Sequence, residues 1–489
     1  MNCHAYVGLD LGSSRIKAVA LDDEGCCIAS SSRPNFMHTG PGGIAEQYPE
    51  NWFDITGEVL RELVTKLTQQ SIKPVAIANT GQMNGPVFLD SKGKPNGPVQ
   101  MWCDNRCISQ CRLLEKRIDP ETLLKTTGHT IATGYTAPKL LWIDEHNPDQ
   151  IKDATHMVFP KDFISNVLTG QVVTDYSDAS NSLLLNIRSG EWDKEILQAM
   201  DLQLPELPQL AESSSVIGFV NKEGSEWSGL AQGIPVAAGA GDSIAAALGA
   251  GLRDPSMVQI VVGSAGNVNC VFNEVMIDDQ GRVHTGYFVD QNHWICSAVQ
   301  QSAGASLQWW SSLIGVDPKI LVEEVDICVP PTNFFAPYLC GERTPHLDPE
   351  VRGAFFNLNQ NTSRGDLTRA ILEGVAFSFR DAFEIFQIMG VFPNQAAISG
   401  GGGENLVWQR IIAAVLGVPL IVGPGDTTAM GAAMLAACAA GRFQSWVEAI
   451  DTWSPSKLEI EVDPELVKWY QNSYQQFKNL YPNLKMLTC

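Results

Sequence analysis

Apolar residues recur along this chain in short runs that stop at glycines or small polar residues, a layout that predicts strands ending in turns. Tyr6 to Leu11 reads as one such strand, Gly12 to Ser14 as a polar tip, and Ile16 to Leu21 as the second arm of a hairpin. Met257 to Phe272 repeats the layout with the tip GSAGN, about 250 residues later, and predicts two related domains whose turns oppose each other. Between them, a glycine- and proline-bearing segment from His38 to Trp52 leads into a helix through Leu67. Pro74 to Gly85 then reads as a buried strand ending in a polar turn. Gly134 to Pro148 reads as a loop followed by an amphipathic helix, whereas FPKDF near Asp162 and TDYSDAS from Thr174 to Ser180 read as loops.

Mid-chain, the apolar run Ile234 to Ala238 breaks into GAGDSIAAALGAG, with a helix expected from near Ile244. Further on, Phe334 to Pro349 is a charged, proline-rich loop and Ile371 to Gly390 a long helix. Ala396 to Val422 gives strand, four glycines, helix and strand. Gly423 to Gly441 starts an alanine-rich helix, and Thr452 to Cys489 reads as a linker with a terminal helix.

Composition narrows the class. With 489 residues, 44% hydrophobic and 18% charged, the chain is a globular α/β protein of roughly two to four domains. A net charge of -21 excludes a broad nucleic-acid interface, although glycine turns and helix starts still offer N–H groups to a small anion. The run Ala429 to Ala440 is too short to span a bilayer and no secretory segment is expected, so no membrane partner and a cytoplasmic location follow as expectations. Cys103, Cys107 and Cys111 recur every four residues, a spacing that could line one helix face, but no second pair or histidines follow to make a zinc site.

Candidate chemistry sits at the breaks. Asp242 is either a general base or a helix cap; Asp10 either positions Mg²⁺ through water or stabilises a turn. Met83 and Asn84 stand where a strand end meets a ligand in α/β sheets, and equally suit core packing and a turn. WCDNRC, with Asp104 and Arg106, offers the planar and charged groups that orient a polyol, or a surface ion pair. Gly400 to Gly403 permit close approach of a base or phosphate. Neither GxxxxGK[ST] nor GxGxxG occurs.

Seven segments in order, GLDLGSSRIKA, GQMNG, WCDNRC, GYTAPKLLWIDEH, GAGDS, GERTPHLDP and SGGGGEN, resemble the FGGY family of carbohydrate kinases over nearly the whole chain. The resemblance implies an α/β, two-domain, actin-like (ribonuclease H-like) fold with a nucleotide cleft between domains 1–245, for sugar, and 246–489, for ATP. It implies ATP-dependent phosphorylation of a primary hydroxyl on a small ketose or polyol, D-xylulose first, with ribulose, gluconate, glycerol, erythritol or sedoheptulose as rivals. A non-catalytic actin-like binding protein is the rival of another class. Asp242 then matches the base and Asp10 the carboxylate near Mg²⁺. Gln82, Met83, Asn84, Asp104 and Ser243 fall where the sugar is lined. Gly12, Ser13, Ser14 and Lys17 and the turn Gly263, Ser264, Ala265 face phosphate, while Gly401, Gly402 and Asn405 fall in the adenosine region. ATP and Mg²⁺ are the implied cofactors, and a homodimer stays open. Within the family pattern this chain follows most closely, GQMHG and GGGDN are expected, so Asn84 replaces a histidine and Ser243 an asparagine. GSAG also stands where GTSG is usual.

Overall fold

The computed structural model describes residues 4–423, 425–453 and 458–487; part of the expected linker, 454–457, and the last two tail residues lie outside the described residues. The first hairpin forms as its pattern predicts. Strand β1 (His4–Leu11) pairs antiparallel with β2 (Arg15–Leu21), and β2 with β3 (Cys27–Pro34). The segment before the first long helix is not a plain loop: His38–Gly40 and Ile44–Gln47 are short strands, joined in a small sheet by Val99–Gln100. Helix α1 (Pro49–Gln69) starts with proline at its first position, where the missing N–H costs nothing. Strand β4 (Lys73–Gly81) then runs parallel to β1.

Helix α2 (Thr136–His146) follows, its first six residues buried. The two segments expected as loops are helices: α3 (Pro160–Thr169) and, after the short strand Val173–Asp175, α4 (Tyr176–Ser180). Their polar residues look like loop residues because they are satisfied locally. Asp162 accepts from the Phe159 N–H at 3.2 Å and Asp175 from the Ser177 N–H at 2.9 Å. Strand β5 (Val216–Phe219) lies antiparallel to β6 (Pro235–Gly241), which runs parallel to β4. The first sheet thus has the order β5-β6-β4-β1-β2-β3. The helix expected from Ile244 begins two residues earlier, as α5 (Asp242–Gly249).

The second sheet repeats the plan. Strands β7 (Met257–Val262) and β8 (Gly266–Phe272) form the hairpin, β9 (His284–Tyr287) and β10 (Trp294–Gln300) extend it antiparallel, and helix α6 (Arg364–Ile388) crosses over. Strand β11 (Gln395–Ser399), helix α7 (Leu406–Leu416) and strand β12 (Leu420–Val422) return parallel beside β7. After helix α8 (Thr427–Ala439), the tail adds strand β13 (Leu458–Ile460) to the sheet edge and packs helix α9 (Pro464–Phe477) on its face. The order is β9-β10-β8-β7-β11-β12-β13, so both sheets place an antiparallel set, three strands in the first sheet and four in the second, beside two parallel strands and a final antiparallel edge.

Between the two sheets lie α5 and α8, which share one core with Tyr6, Ala78 and Ala237 from the first sheet and Met257, Val271 and Ile421 from the second. Helix α8 belongs to the second half of the chain yet lies on β1. A Cβ at Gly8 would stand 2.0 Å from the Ala429 carbonyl oxygen, and one at Gly431 1.9 Å from that of Ala245. Only glycine allows these backbones to touch. The opposite face of the first sheet packs Val7, Leu9 and Leu11 against Val59, Leu60 and Leu63 of α1.

Candidate active site

Parallel strands place their carboxyl ends at one edge, and the register fixes which residues meet there. Leu11, Gly81 and Gly241 share one row across β1, β4 and β6, with Asp10, Thr80 and Ala240 in the row before. Adjacent strands are about 4.8 Å apart, so Asp10 and the start of α5 are separated by about 10 Å across this edge. The residues just beyond β4 are Gln82, Met83 and Asn84.

Asp242 opens α5 as its first helical residue, the cap position being Gly241, so it is not the cap of the helix. Its Oδ1 accepts the Ser243 N–H at 2.7 Å. Burial pushes its carboxyl up to about 6, opposed by that N–H. Met83 lies directly against the turn: a Cβ at Gly241 would stand 2.3 Å from its Sδ. Gly239 takes φ 77°, where an added Cβ would fall 1.7 Å from the Asn79 oxygen, so the bend before the acid requires glycine.

A buried ionic cluster backs this turn. Lys161 pairs with Asp162, with Asp175 at 2.9 Å and with Asp178 at 3.9 Å, all fully buried. Asp175 also accepts the Ser177 hydroxyl at 2.5 Å, and that hydroxyl oxygen accepts the Gly241 N–H at 3.1 Å. The Ala240–Gly241 peptide, one unit before Asp242, is therefore anchored to a charged core that an expectation of loops at these segments does not include.

Around the β1–β2 tip, Asp10 Oδ1 is buried without a hydrogen-bond partner. Burial raises its carboxyl well above the usual range; Asp242 and Asp426 add to this and Lys17 opposes it. Lys17 itself forms an ion pair with Asp426, which caps α8 by accepting the Ala429 N–H at 3.3 Å. This pair ties the first hairpin to the second half of the chain.

The sugar-side candidates divide. Gln82 Oε1 and Asn84 Oδ1 are buried and unpartnered. Asn84 takes φ 71°, and its carbonyl is held by the Lys139 ammonium at 3.1 Å and the Thr136 hydroxyl at 3.2 Å. Lys139, fully buried, is pushed down to about 8 by burial, with nearby thiols and Asp104 opposing. Asp104 is fully buried, accepting the Ala45 N–H at 2.9 Å and Nε and Nη2 of Arg106 at 3.0 and 2.8 Å. Ser243 neighbours Asp242 and is half-buried. Of the three cysteines, only Cys111 lies within the helix Ile108–Arg117, and no metal-ligand cluster occurs among the described residues.

In the second sheet, Gly263, Ser264 and Ala265 form the β7–β8 tip. The carbonyls of Gly263 and Ser264 accept the Gly304 and Ala303 N–H groups at 2.8 and 2.9 Å. Gly400 and Gly402 press on Val262, whereas Gly401 has open space beside it; Asn405 caps α7 by accepting the Trp408 N–H at 3.1 Å. These residues form one group at the strand ends of the second sheet. Two concavities lie elsewhere, one beside Tyr338 and Tyr481, the other beside His4 and Arg442.

Two sheets of one plan, packed through a shared helix pair, with Asp10 and Asp242 at the strand ends of the first, define a two-domain actin-like ATPase fold of the phosphotransferase kind. Models of the N-terminal and C-terminal domains of the FGGY family of carbohydrate kinases match residues 5–249 and 260–440, and the chain belongs to that family. It is 31% identical to the xylulose kinase of Escherichia coli K12, over 98% of this chain and 99% of that protein. It is 33% identical to that of Lactococcus lactis, over 98% and 96%. The crystal structure of a xylulose kinase from Brucella ovis superposes with a TM-score of 0.93 at 30% identity, covering 99% of this chain and all of that one. The protein is thus a carbohydrate kinase that uses ATP. Among the described residues no helix is long and apolar enough to cross a membrane.

Proposed function

We propose that this kinase phosphorylates a primary hydroxyl of D-xylulose to give D-xylulose 5-phosphate, in the cytoplasm, with sugar held mainly by residues 1–245 and ATP by residues 246–489 and the cleft between. The observation that carries the reading is the set of buried, unpartnered oxygens, Asp10 Oδ1, Gln82 Oε1 and Asn84 Oδ1, on the strand edge that also bears Asp242. Buried acceptors without donors are costly, and sugar hydroxyls and a hydrated cation supply the missing partners.

Asp242 accepts the proton of the attacking hydroxyl as that oxygen bonds to the γ-phosphorus of ATP and the bond to the β-phosphate oxygen breaks, releasing ADP. Its raised carboxyl is matched to that work near neutral pH. Gln82, Met83, Asn84 and Ser243 orient the sugar, and Asp104 acts indirectly by holding Arg106 and the Ala45 backbone. The tips at Gly12–Ser14 and Gly263–Ala265 turn N–H groups to phosphate, Lys17 adds positive charge, and Gly401, Gly402 and Asn405 border the adenosine. The buried, unpartnered Asp10 Oδ1 fits a hydrated Mg²⁺, a hard cation that takes oxygen ligands. Asp10 would hold it, and the ion would neutralise phosphate charge.

Support for xylulose comes from the relatives' names. Asn84 and Ser243 favour a second reading, a kinase of another ketose or polyol, because exchanging hydrogen-bonding groups in a buried pocket changes which hydroxyl pattern fits. ADP formation across D-xylulose, D-ribulose, gluconate, glycerol, erythritol and sedoheptulose tests both. D-xylulose is expected to give the highest kcat/KM; a tenfold preference for another substrate replaces it, and no ADP with any of them removes the proposed sugar range.

A further inference from the structure

We infer that Gln47 is a positioning residue that links sugar contact at Gln82 to the aim of the phosphate tip Gly12–Ser14; this rests on the roles proposed above for those two elements. Its amide orientation is fixed by chemistry. Trp52 Nε1 can only donate, and it lies 3.0 Å from Gln47 Oε1, so that atom is the oxygen. Gln82 Nε2, 2.5 Å from the same oxygen, must therefore donate too, which leaves Gln82 Oε1 as the unpartnered acceptor for a substrate hydroxyl.

At its other end, Gln47 Nε2 donates to the Ser13 carbonyl at 2.7 Å. Asn35 Nδ2 donates to the Gly12 carbonyl at 2.8 Å and to Gln47 Oε1 at 3.3 Å. In a trans peptide the C=O and N–H point in opposite directions. Pulling the Gly12 and Ser13 carbonyls onto these buried amides therefore turns the N–H groups of Ser13 and Ser14 away from them, toward the space assigned to phosphate. The result is one unbroken chain: sugar hydroxyl, Gln82 amide, Gln47 amide, Ser13 carbonyl, Ser14 N–H. Hydrogen-bonded amides in series polarise one another, so a hydroxyl donated to Gln82 Oε1 strengthens each later link. Gln47 is 1% exposed and touches neither ligand in this scheme.

Gln47→Glu keeps the acceptor that serves Trp52, Asn35 and Gln82 but loses the donor to Ser13; Gln47→Met removes the polar link without adding charge. The assay measures sugar-dependent ADP formation, the KM for each substrate, and the factor by which saturating D-xylulose, or the best substrate of the panel, lowers the KM for ATP. In at least one folded variant, kcat is expected to fall 10- to 100-fold, the sugar KM to move less than threefold, and the linkage factor to drop toward one. A purely structural role lowers thermal stability and leaves the linkage factor intact. An active wild type with kcat and linkage factor unchanged in every folded variant overturns the inference alone. A wild type that forms no ADP with any sugar overturns the proposed function and this inference with it.

Discussion

Replacing Asp242 by asparagine preserves the acceptor for the Ser243 N–H while removing the base, and it should cost activity yet raise stability. Loss of a general base predicts a fall in kcat of roughly 10²–10⁴-fold. The stability gain follows from the carboxyl itself. Burial raises it from 3.8 to about 6, so between these values the folded protein binds a proton that the unfolded chain has released. Stability therefore falls as pH rises through that window. Holding the carboxylate ionised at pH 7 costs up to about 3 kcal/mol by linkage, an upper bound because the residue is only half-buried and keeps some water. Asp242→Asn should then unfold at higher denaturant concentration than wild type at pH 7, with the advantage shrinking toward pH 4. Wild-type kcat should drop about tenfold per pH unit below about 6 if this group titrates alone, a limb absent from the residual activity of the variant. Near-normal turnover in the folded variant, or equal stability differences at pH 7 and pH 4, would refute the assignment.

Three further outcomes follow from the same geometry. Ser177→Ala removes the hydroxyl that holds the Gly241 N–H, and should lower kcat roughly tenfold while leaving the KM for ATP unchanged, since misplacing a base affects the transition state most; steady-state kinetics checks it. The pair Asn84→His and Ser243→Asn should change the ranking of sugars by kcat/KM more than it changes the KM for ATP, as measured on the substrate panel. Gly431→Ala places a methyl 1.9 Å from the Ala245 carbonyl and should destabilise by about 1–3 kcal/mol, seen as a lower Tm with little change in residual kcat below the transition.

Much of the frame was legible because it depends on local pattern. Both hairpins, the strand before GAGDS and the four-glycine turn follow from apolar runs stopped by glycine, and the register that opposes Asp10 to Lys17 is set by the short tip. The misreadings share a physical cause. FPKDF and TDYSDAS carry acids and hydroxyls that signal loops when solvated, but here their acids are buried around Lys161, and it is the pairing of Lys161 with Asp175 of the other segment, not the one with its neighbour Asp162, that local pattern does not show. Gln47 gave no signal either, since its function comes from Trp52, Gln82 and Ser13, which lie at different distances along the chain. Asp104 was legible as a sugar-side candidate or as the partner of Arg106 in a surface pair; the pair forms, but Asp104 is buried and also holds the Ala45 N–H, which comes from a segment 59 positions away. The alanine-rich helix was visible as a helix, but alanine on every side marks no preferred face, so its seat against the first sheet could not be read.

That seat has a consequence for how the protein is made. Gly249 ends α5 and Ala439 ends α8, 190 positions later. At about 5–20 residues per second, synthesis leaves the inner face of the first sheet with α5 but without α8 for roughly 10–40 s. A nascent chain at that stage displays Tyr6, Ala78 and Ala237 to whatever is nearby, and a fragment cut at the boundary between the two family domains does so permanently. Separately expressed halves are therefore expected to need a chaperone or each other, and dissection at the domain boundary is a poor route to a soluble sugar-binding module.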